Sequence, residues 1–256
     1  MRTWNVFHGN ASPPGRRAHL EEMVRLACED RPDVLCLQEL PVWSLRRLDE
    51  WSGMRSFGVV AARPKLRSAE LGHTITVRNP GLFRSAVTGQ ANAILLRPEL
   101  RALATDSIVL NPTAVRRRVA AELGLDRRAR LAWAKERRVC QAVRTDSLTV
   151  ANLHISSVRD ARVRDAELLR AATFADSFAE PGDLLVLAGD FNLRPWESAM
   201  LEALASEWGF SPPIPGIDQI IVRGGSATRP AAWPEERRRM DGHLLSDHAP
   251  LEVTIG

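Results

Sequence analysis

The chain has 256 residues, 45% of them hydrophobic and 26% charged, with a formal net charge of +4. These are the proportions of an ordinary soluble globular protein with a substantial core. No apolar run reaches the ~18 residues that a helix crossing a bilayer requires.

Chain order gives the following elements. A strand is predicted over 3–8 (TWNVFH). Leu20, Met23, Val24 and Ala27 recur at helical spacing over 16–30, with Pro32 beyond the end. DVLCLQEL (33–40) reads as an apolar strand that ends in polar groups, and 42–52 as a helix. Strands follow at 57–63, 91–98 and 107–112. Residues 137–145 and 147–156 alternate as two strands joined by a turn at Thr145 and Asp146. Residues 159–179 form a long amphipathic helix, and LLVLAGDF (184–191) a strand. A helix over 198–209 stops at Gly209, and strands at 217–222 and 250–255 close the chain. The alternation of strands and helices, interrupted by paired strands, predicts α/β layering with two sheets between helices. No linker or repeat divides the chain, so a single domain over 1–256 is expected, with a basic, helix-compatible insertion around 114–138.

The N-terminal stretch MRTWNVFHGN enters a strand pattern at once and leaves no room for a signal peptide. A cytoplasmic protein is therefore expected. Cys28, Cys36 and Cys140 lack CxxC spacing, which argues against a zinc site or a disulfide scaffold. Lys65 and Lys135 are the only lysines, and the sequence pI is about 9.6. An arginine-rich basic surface suits a phosphate-bearing polyanion.

The strands share an unusual ending. Asn5 closes the first, Gln38 and Glu39 the second, Asn152 and His154 the apolar run of 147–156, and Asp190 and Asn192 the run LLVLAG. Asp247 and His248 stand just before the last strand. Each has an ordinary explanation on its own: a turn, a cap, a satisfied histidine. Together they gather hard oxygen donors and imidazoles at strand ends, where ligand sites form in layered α/β folds. Such a set suits Mg²⁺, Mn²⁺ or Ca²⁺, with histidines for acid–base or charge-stabilising work.

The motifs WNV with Asn5, LQE with Glu39, NLH with His154, GDFN with Asp190 and Asn192, ID with Asp218, and SDH with Asp247 and His248 occur in this order. Over residues 3–252 the chain resembles the endonuclease/exonuclease/phosphatase superfamily, the deoxyribonuclease I-like metal-dependent phosphodiesterases. The resemblance implies a four-layered α/β sandwich of two packed, mostly antiparallel sheets flanked by helices. It implies that Asn5 and Glu39 bind a divalent metal, Mg²⁺ first among the candidates, with Asp247 assisting. Asp190 and Asn192 would position or activate the attacking water and hold the phosphate. His154 would contact the phosphate with Asp218 behind it, and His248 would act as general base or transition-state stabiliser.

Two departures from the pattern stand out. Many members carry a carboxylate before the strand ANAILLRP as partner to the catalytic histidine; here Gln90 and Asn92 are neutral, so a less polarised His248 is expected. The chain has no tyrosine, unlike the apurinic-endonuclease branch. His8 lies outside the shared pattern and reads as structural or peripheral. The expected activity is a nuclease on DNA or RNA acting as a monomer with no protein partner. The alternative is a phosphatase or phosphodiesterase acting on phospholipid headgroups or small phosphorylated molecules. Residues 116–138, rich in arginine and with Trp133 as the sole aromatic, are the expected phosphate-tracking arm.

Overall fold

The computed structural model describes residues 1–15, 17–64 and 88–256. Arg16, the first residue of the predicted helix 16–30, lies outside them. Four layers stack as helices, sheet, sheet, helices. The first sheet runs β11-β14-β1-β3-β5-β4, with β1 Arg2–Asn5, β3 Val34–Leu40, β4 Arg55–Ala62, β5 Gln90–Leu96, β11 Ala231–Ala232 and β14 Leu251–Glu252. The second runs β10-β9-β8-β7-β6, with β6 Ala104–Val109, β7 Val139–Arg144, β8 Leu148–His154, β9 Leu184–Asp190 and β10 Asp218–Arg223. A small third sheet joins β2 Ala11–Ser12, β13 His243–Leu245 and β12 Arg239–Met240. Pairing is antiparallel except at the centre of each large sheet, where β1 runs parallel to β3 and β8 parallel to β9. Each parallel pair needs a crossover, which α1 (Leu20–Cys28) and a long helix (Ala161–Phe178) supply. Among the described residues no helix is long and apolar enough to cross a membrane.

The period-two alternation of the strands decides what lies between the sheets. Cys36, Ile94 and Leu96 of the first sheet meet Val143, Val150, Val186, Ala188, Ile220 and Val222 of the second. The opposite faces take the helices. Leu35, Leu37, Ala93 and Leu95 pack against Met23, Val24 and Ala27. Leu153, Leu185 and Leu187 pack against Leu168, Ala171 and Ala172. At the end of the inter-sheet core the apolar residues give way to amides. Asn152 Nδ2 donates to the carbonyls of Leu37 (3.0 Å) and Ala93 (2.9 Å), and Gln38 Nε2 donates to Asn152 Oδ1 (2.8 Å). Asn152 is therefore a tie between sheets, its burial offset by these bonds.

The same alternation carries Asn5, His154, Asp190 and Asp218 onto this inner face, one step past the core. Their strands are in register there: Asn5 faces Gln38, His154 faces Asp190, and Asp218 faces Asp190.

Several elements differ from the sequence reading. The first strand stops at Asn5 instead of residue 8, because Phe7 and His8 take positive φ (45° and 54°) in a short 3-10 turn. The helix predicted over 42–52 splits into a 3-10 segment (Val42–Arg46) and a short α-helix (Leu48–Ser52). The strand predicted at 107–112 lies at Ala104–Val109, paired with β7. The basic insertion folds as two helices, Thr113–Glu122 and Arg127–Ala134, parted at Gly124 (φ +62°). They close over Val119, Ala120, Leu125 and Trp133, which pack on Val163. Trp133 is 1% exposed and donates its indole N–H to Glu167, so it offers no face for base stacking.

Candidate active site

Asp190 is the centre of the cluster. It ends β9 in a buried position, and the close approach of β8 makes this possible: a Cβ on Gly189 would stand 2.0 Å from the Leu153 carbonyl oxygen, at φ +140°. Only glycine fits there. The Asp190 carboxylate then receives four neighbours. Oδ1 accepts the Asn192 backbone N–H at 2.9 Å. Oδ2 accepts Asn5 Nδ2 at 3.0 Å and lies 3.4 Å from His154 Nε2 and 3.8 Å from His248 Nε2. Burial, and then the charge of Asp218, raise its pKa to about 7 against the opposing pull of His248 and Asn5.

Glu39 reaches the cluster by a different route. Strict alternation would place it with Leu37 on the helix side of the sheet. A bulge in the pairing of β3 with β5 between Leu37 and Leu40, with φ +56° at Glu39, turns it instead towards the histidines. Its carboxylate lies 3.7 Å from His154 Nε2 and 3.8 Å from His8 Nε2. Burial raises its pKa, aided by Asp247 and opposed by Arg138, Asn5 and His248. His8, read as structural or peripheral from sequence, stands beside the site. Its position comes from the positive-φ turn after Asn5, which no residue pattern announces. Non-glycine residues with positive φ gather here: Phe7, His8, Glu39, Asn192 and Ser246, as expected where function holds strained backbone in place.

The two site histidines are held in opposite ways. His248 Nδ1 lies 2.8 and 3.1 Å from the Asp218 carboxylate. Burial alone would lower its pKa, but the Asp218 hydrogen bond and charge, with Asp190 and Asp247, raise it to about 10. Among the described residues, His154 has no carboxylate at Nδ1. That atom faces Arg138 Nη1 at 3.0 Å and Gln90 Nε2 at 3.3 Å. Burial, then the positive charges of Arg138, His248 and His8, push its pKa well below the usual histidine value. The pairing expected from sequence is therefore corrected: Asp218 supports His248 and not His154, because it opens β10 opposite Asp190 and beside the SDH loop. The neutral residue Gln90 partners His154, so His248 loses no polarisation through it.

Arg138 was assigned by its sequence neighbours to the basic arm. It is 4% exposed and points into the site. Arg116 is also drawn away from solvent, donating to the Asn111 carbonyl. Arg117, Arg118, Arg127, Arg128, Arg130, Lys135 and Arg137 remain on the exposed face.

The SDH loop is fixed from three sides. Ser246 Oγ donates to the Asn5 carbonyl (2.7 Å) and accepts the His248 backbone N–H (3.1 Å). Trp4 Nε1 donates to the His248 carbonyl at 2.9 Å. Arg238, buried, donates to the carbonyls of Leu245, Ser246 and His248. Asp247 is left at the mouth, its side chain 45% exposed and 4.0 Å from His248 Nε2. On the other side Asn192 Nδ2 donates to the Ile155 carbonyl (2.9 Å), and Arg164 donates to the Asn192 carbonyl.

The donor set fits a divalent cation. Buried carboxylates whose pKa values are raised would be stabilised by one, and Asp190, Asp218 and His248 offer ligand atoms within 4.8 Å of one another. Glu39 adds a carboxylate beside them, and Asn5 an amide whose Nδ2 lies on Asp190 and whose Oδ1 accepts the Phe7 N–H at 3.0 Å.

The profile of the Endonuclease/Exonuclease/phosphatase family matches residues 3–248. The chain belongs to this family. It thereby falls among phosphoester hydrolases. The family fold is also that of solved structures that align with it. A functionally unknown conserved protein from Enterococcus faecalis is 16% identical at TM-score 0.67, over 100% of this chain and 99% of that one. A mannosyl-6-phosphatase from Bacteroides thetaiotaomicron is 14% identical at TM-score 0.66, over 100% and 98%. A humanized D. rerio TDP2 is 17% identical at TM-score 0.61, over 100% and 97%. At these identities the likeness is one of fold. No curated protein matches the chain in sequence.

Proposed function

We propose that this family member is a divalent-metal-dependent phosphodiesterase that hydrolyses nucleic acid with water as nucleophile. The observation that carries the chemistry is the placement of Asp190 between two histidines in opposite electrostatic states. Asn5 and Glu39, with Asp247 at the mouth, would hold the metal, Mg²⁺ in the first instance. When bound, that ion supplies positive charge to the phosphate. Asp190, raised towards neutrality, takes the proton of the attacking water. Asn192 fixes the Asp190 carboxylate through its backbone N–H and lines the phosphate side. His248 is cationic at neutral pH with Asp218 behind it. It therefore offsets charge in the phosphorane-like transition state and is not the base. His154 contributes a hydrogen bond to a phosphate oxygen.

The nucleic-acid part of the reading rests on the exposed basic face of the two insertion helices, which leads through Arg137 to Arg138 inside the site. With Trp133 buried, contacts there would be to phosphates, giving little sequence preference. A second reading, a phosphatase or phosphodiesterase on lipid headgroups or small phosphorylated molecules, is favoured by the depth of His154 and Asp190, 3% and 2% exposed. The deciding experiment compares supercoiled plasmid, single-stranded DNA, RNA, a phosphomonoester and a small chromogenic diester in Mg²⁺. In the triple variant Arg117→Glu, Arg127→Glu, Arg128→Glu, KM for long DNA should rise steeply and binding should lose salt dependence, with the small diester unaffected. Equal turnover of plasmid by the variant and native protein would favour the small-substrate reading.

A further inference from the structure

We propose that Arg138 is a positioning residue that locks His154 in the tautomer carrying its hydrogen on Nε2. Among the described residues, the geometry is closed by elimination of acceptors. Arg138 Nη1 stands 3.0 Å from His154 Nδ1, and a guanidinium has donors only. The second neighbour of Nδ1 is the Gln90 side chain, whose amide could in general present either atom. Arg138 removes that freedom. Its Nη1 also lies 3.4 Å from Gln90 Oε1, so the amide must turn its oxygen to the guanidinium and its nitrogen, 3.3 Å away, to the imidazole. A flipped amide would set donor against donor. Both neighbours of Nδ1 therefore donate, and Nδ1 can only accept. The ring hydrogen sits on Nε2, which faces Asp190 Oδ2 at 3.4 Å and Glu39 Oε1 at 3.7 Å.

Arg138 is itself built in. Its backbone N–H donates to Asn111 Oδ1 (2.9 Å), and Asn111 Nδ2 returns to the Glu136 carbonyl (2.8 Å). Its Nη2 pairs with the Glu136 carboxylate. The guanidinium thus spans from a half-exposed carboxylate to the imidazole, and the fork leaves Nη1 no choice of direction. Arg238, on the far side of the site, gives its Nη1 to the carbonyls of Leu245 and Ser246 instead, where Arg138 gives its Nη1 to an imidazole.

The result is a complementary pair. His248 donates from Nδ1 to Asp218, whereas His154 accepts at Nδ1 from Arg138. His154 then presents a hydrogen to whatever oxygen occupies the space before Asp190. His154 is thus backed by a cation and a neutral amide, both donating to its Nδ1. The kinetic consequence rests on the proposed phosphodiesterase reading; the tautomer does not.

The test is a long-range ¹H–¹⁵N correlation spectrum of ¹⁵N-histidine-labelled protein, with His154 assigned from the signal missing in His154→Asn. The expected spectrum has a bare Nδ1 and a protonated Nε2. In Arg138→Met the two nitrogens should shift towards a tautomer mixture. On bis(p-nitrophenyl) phosphate with Mg²⁺, that variant should lose about 10–100-fold in kcat, the worth of one charge-assisted hydrogen bond, with KM nearly unchanged. Guanidinium ion added to Arg138→Ala should restore part of kcat, and methylammonium should not. A protonated Nδ1 in the native protein overturns the proposal whether or not any variant folds. So does an Arg138→Met spectrum identical to the native one, or a loss that appears in KM alone. Absence of diester hydrolysis by the native protein would count against the function and leave the spectrum to decide the tautomer.

Discussion

Replacing Asp218 by Asn should disable His248 and leave the hydrogen-bond partners of His154 in place. The amide keeps the size of the carboxylate but removes the negative charge 2.8 and 3.1 Å from Nδ1. With Asp218 in place the ring is cationic up to about pH 10, although its burial opposes charge. Without it the ring should return towards the ordinary histidine value of about 6.5. At about pH 8 the native ring is almost wholly cationic, and the variant ring only about 3% so, which slows a step needing the cation by about 30-fold. Because the raised pKa keeps the active cation present below it, the alkaline limb of kcat/KM should move from about pH 10 down towards neutrality. Diester hydrolysis measured across that range gives the limb, and NMR titration of His248 gives the ring directly. The loss should be absent from the His248→Ala background and additive with His154→Ala. An alkaline limb that does not move, or non-additivity with His154 instead of His248, would refute the pairing and the role drawn from it.

Glu39→Gln should abolish turnover and the rise in Tm on adding Mg²⁺, since a hard cation needs a charged oxygen anchor; native turnover that persists in EDTA would remove the metal from the reaction. Gly189→Ala should destabilise by about 2 kcal/mol or more in urea titration, because its Cβ would press the Leu153 carbonyl at 2.0 Å and force β8 from β9. The buried Arg2 holds Asp30 by a side-chain hydrogen bond, which lowers the Asp30 pKa to about 2. With its folded pKa depressed, Asp30 contributes stability that is fully present above the ordinary carboxylate range and lost as pH falls through about 2. Thermal scans of Asp30→Asn and native protein should therefore converge at acid pH.

Much of the architecture could be read from the residues alone. Continuous apolar runs such as VLCLQ and VLAGD marked strands buried on both faces, and the 3.6-residue spacing in 16–30 and 159–179 marked the crossover helices, because burial of one helix face imposes its period on the sequence. The polar strand ends were legible because they break those runs. Asn5, His154, Asp190 and Asp218 continue the inner-face alternation just where the apolar core stops. Short edge strands such as Ala11–Ser12 and Ala231–Ala232 had no such signal, since two residues carry no period.

What pairs with what was decided only in three dimensions. Asp218 is 30 residues from His248 and 64 from His154, and nothing in that spacing says which it serves; the antiparallel register of β10 on β9 does. Glu39 follows the wrong parity for the inner face, and a bulge with positive φ, invisible as composition, turns it round. Arg138 looks like one more charge in a run of arginines. Its burial and its hold on His154 arise because the hairpin of β7 and β8 starts there and brings Asn111, Gln90 and His154 around it. Alternation is a local property and is written in the order of residues, whereas partnership between side chains depends on register and bulges, which the chain acquires only when distant strands meet.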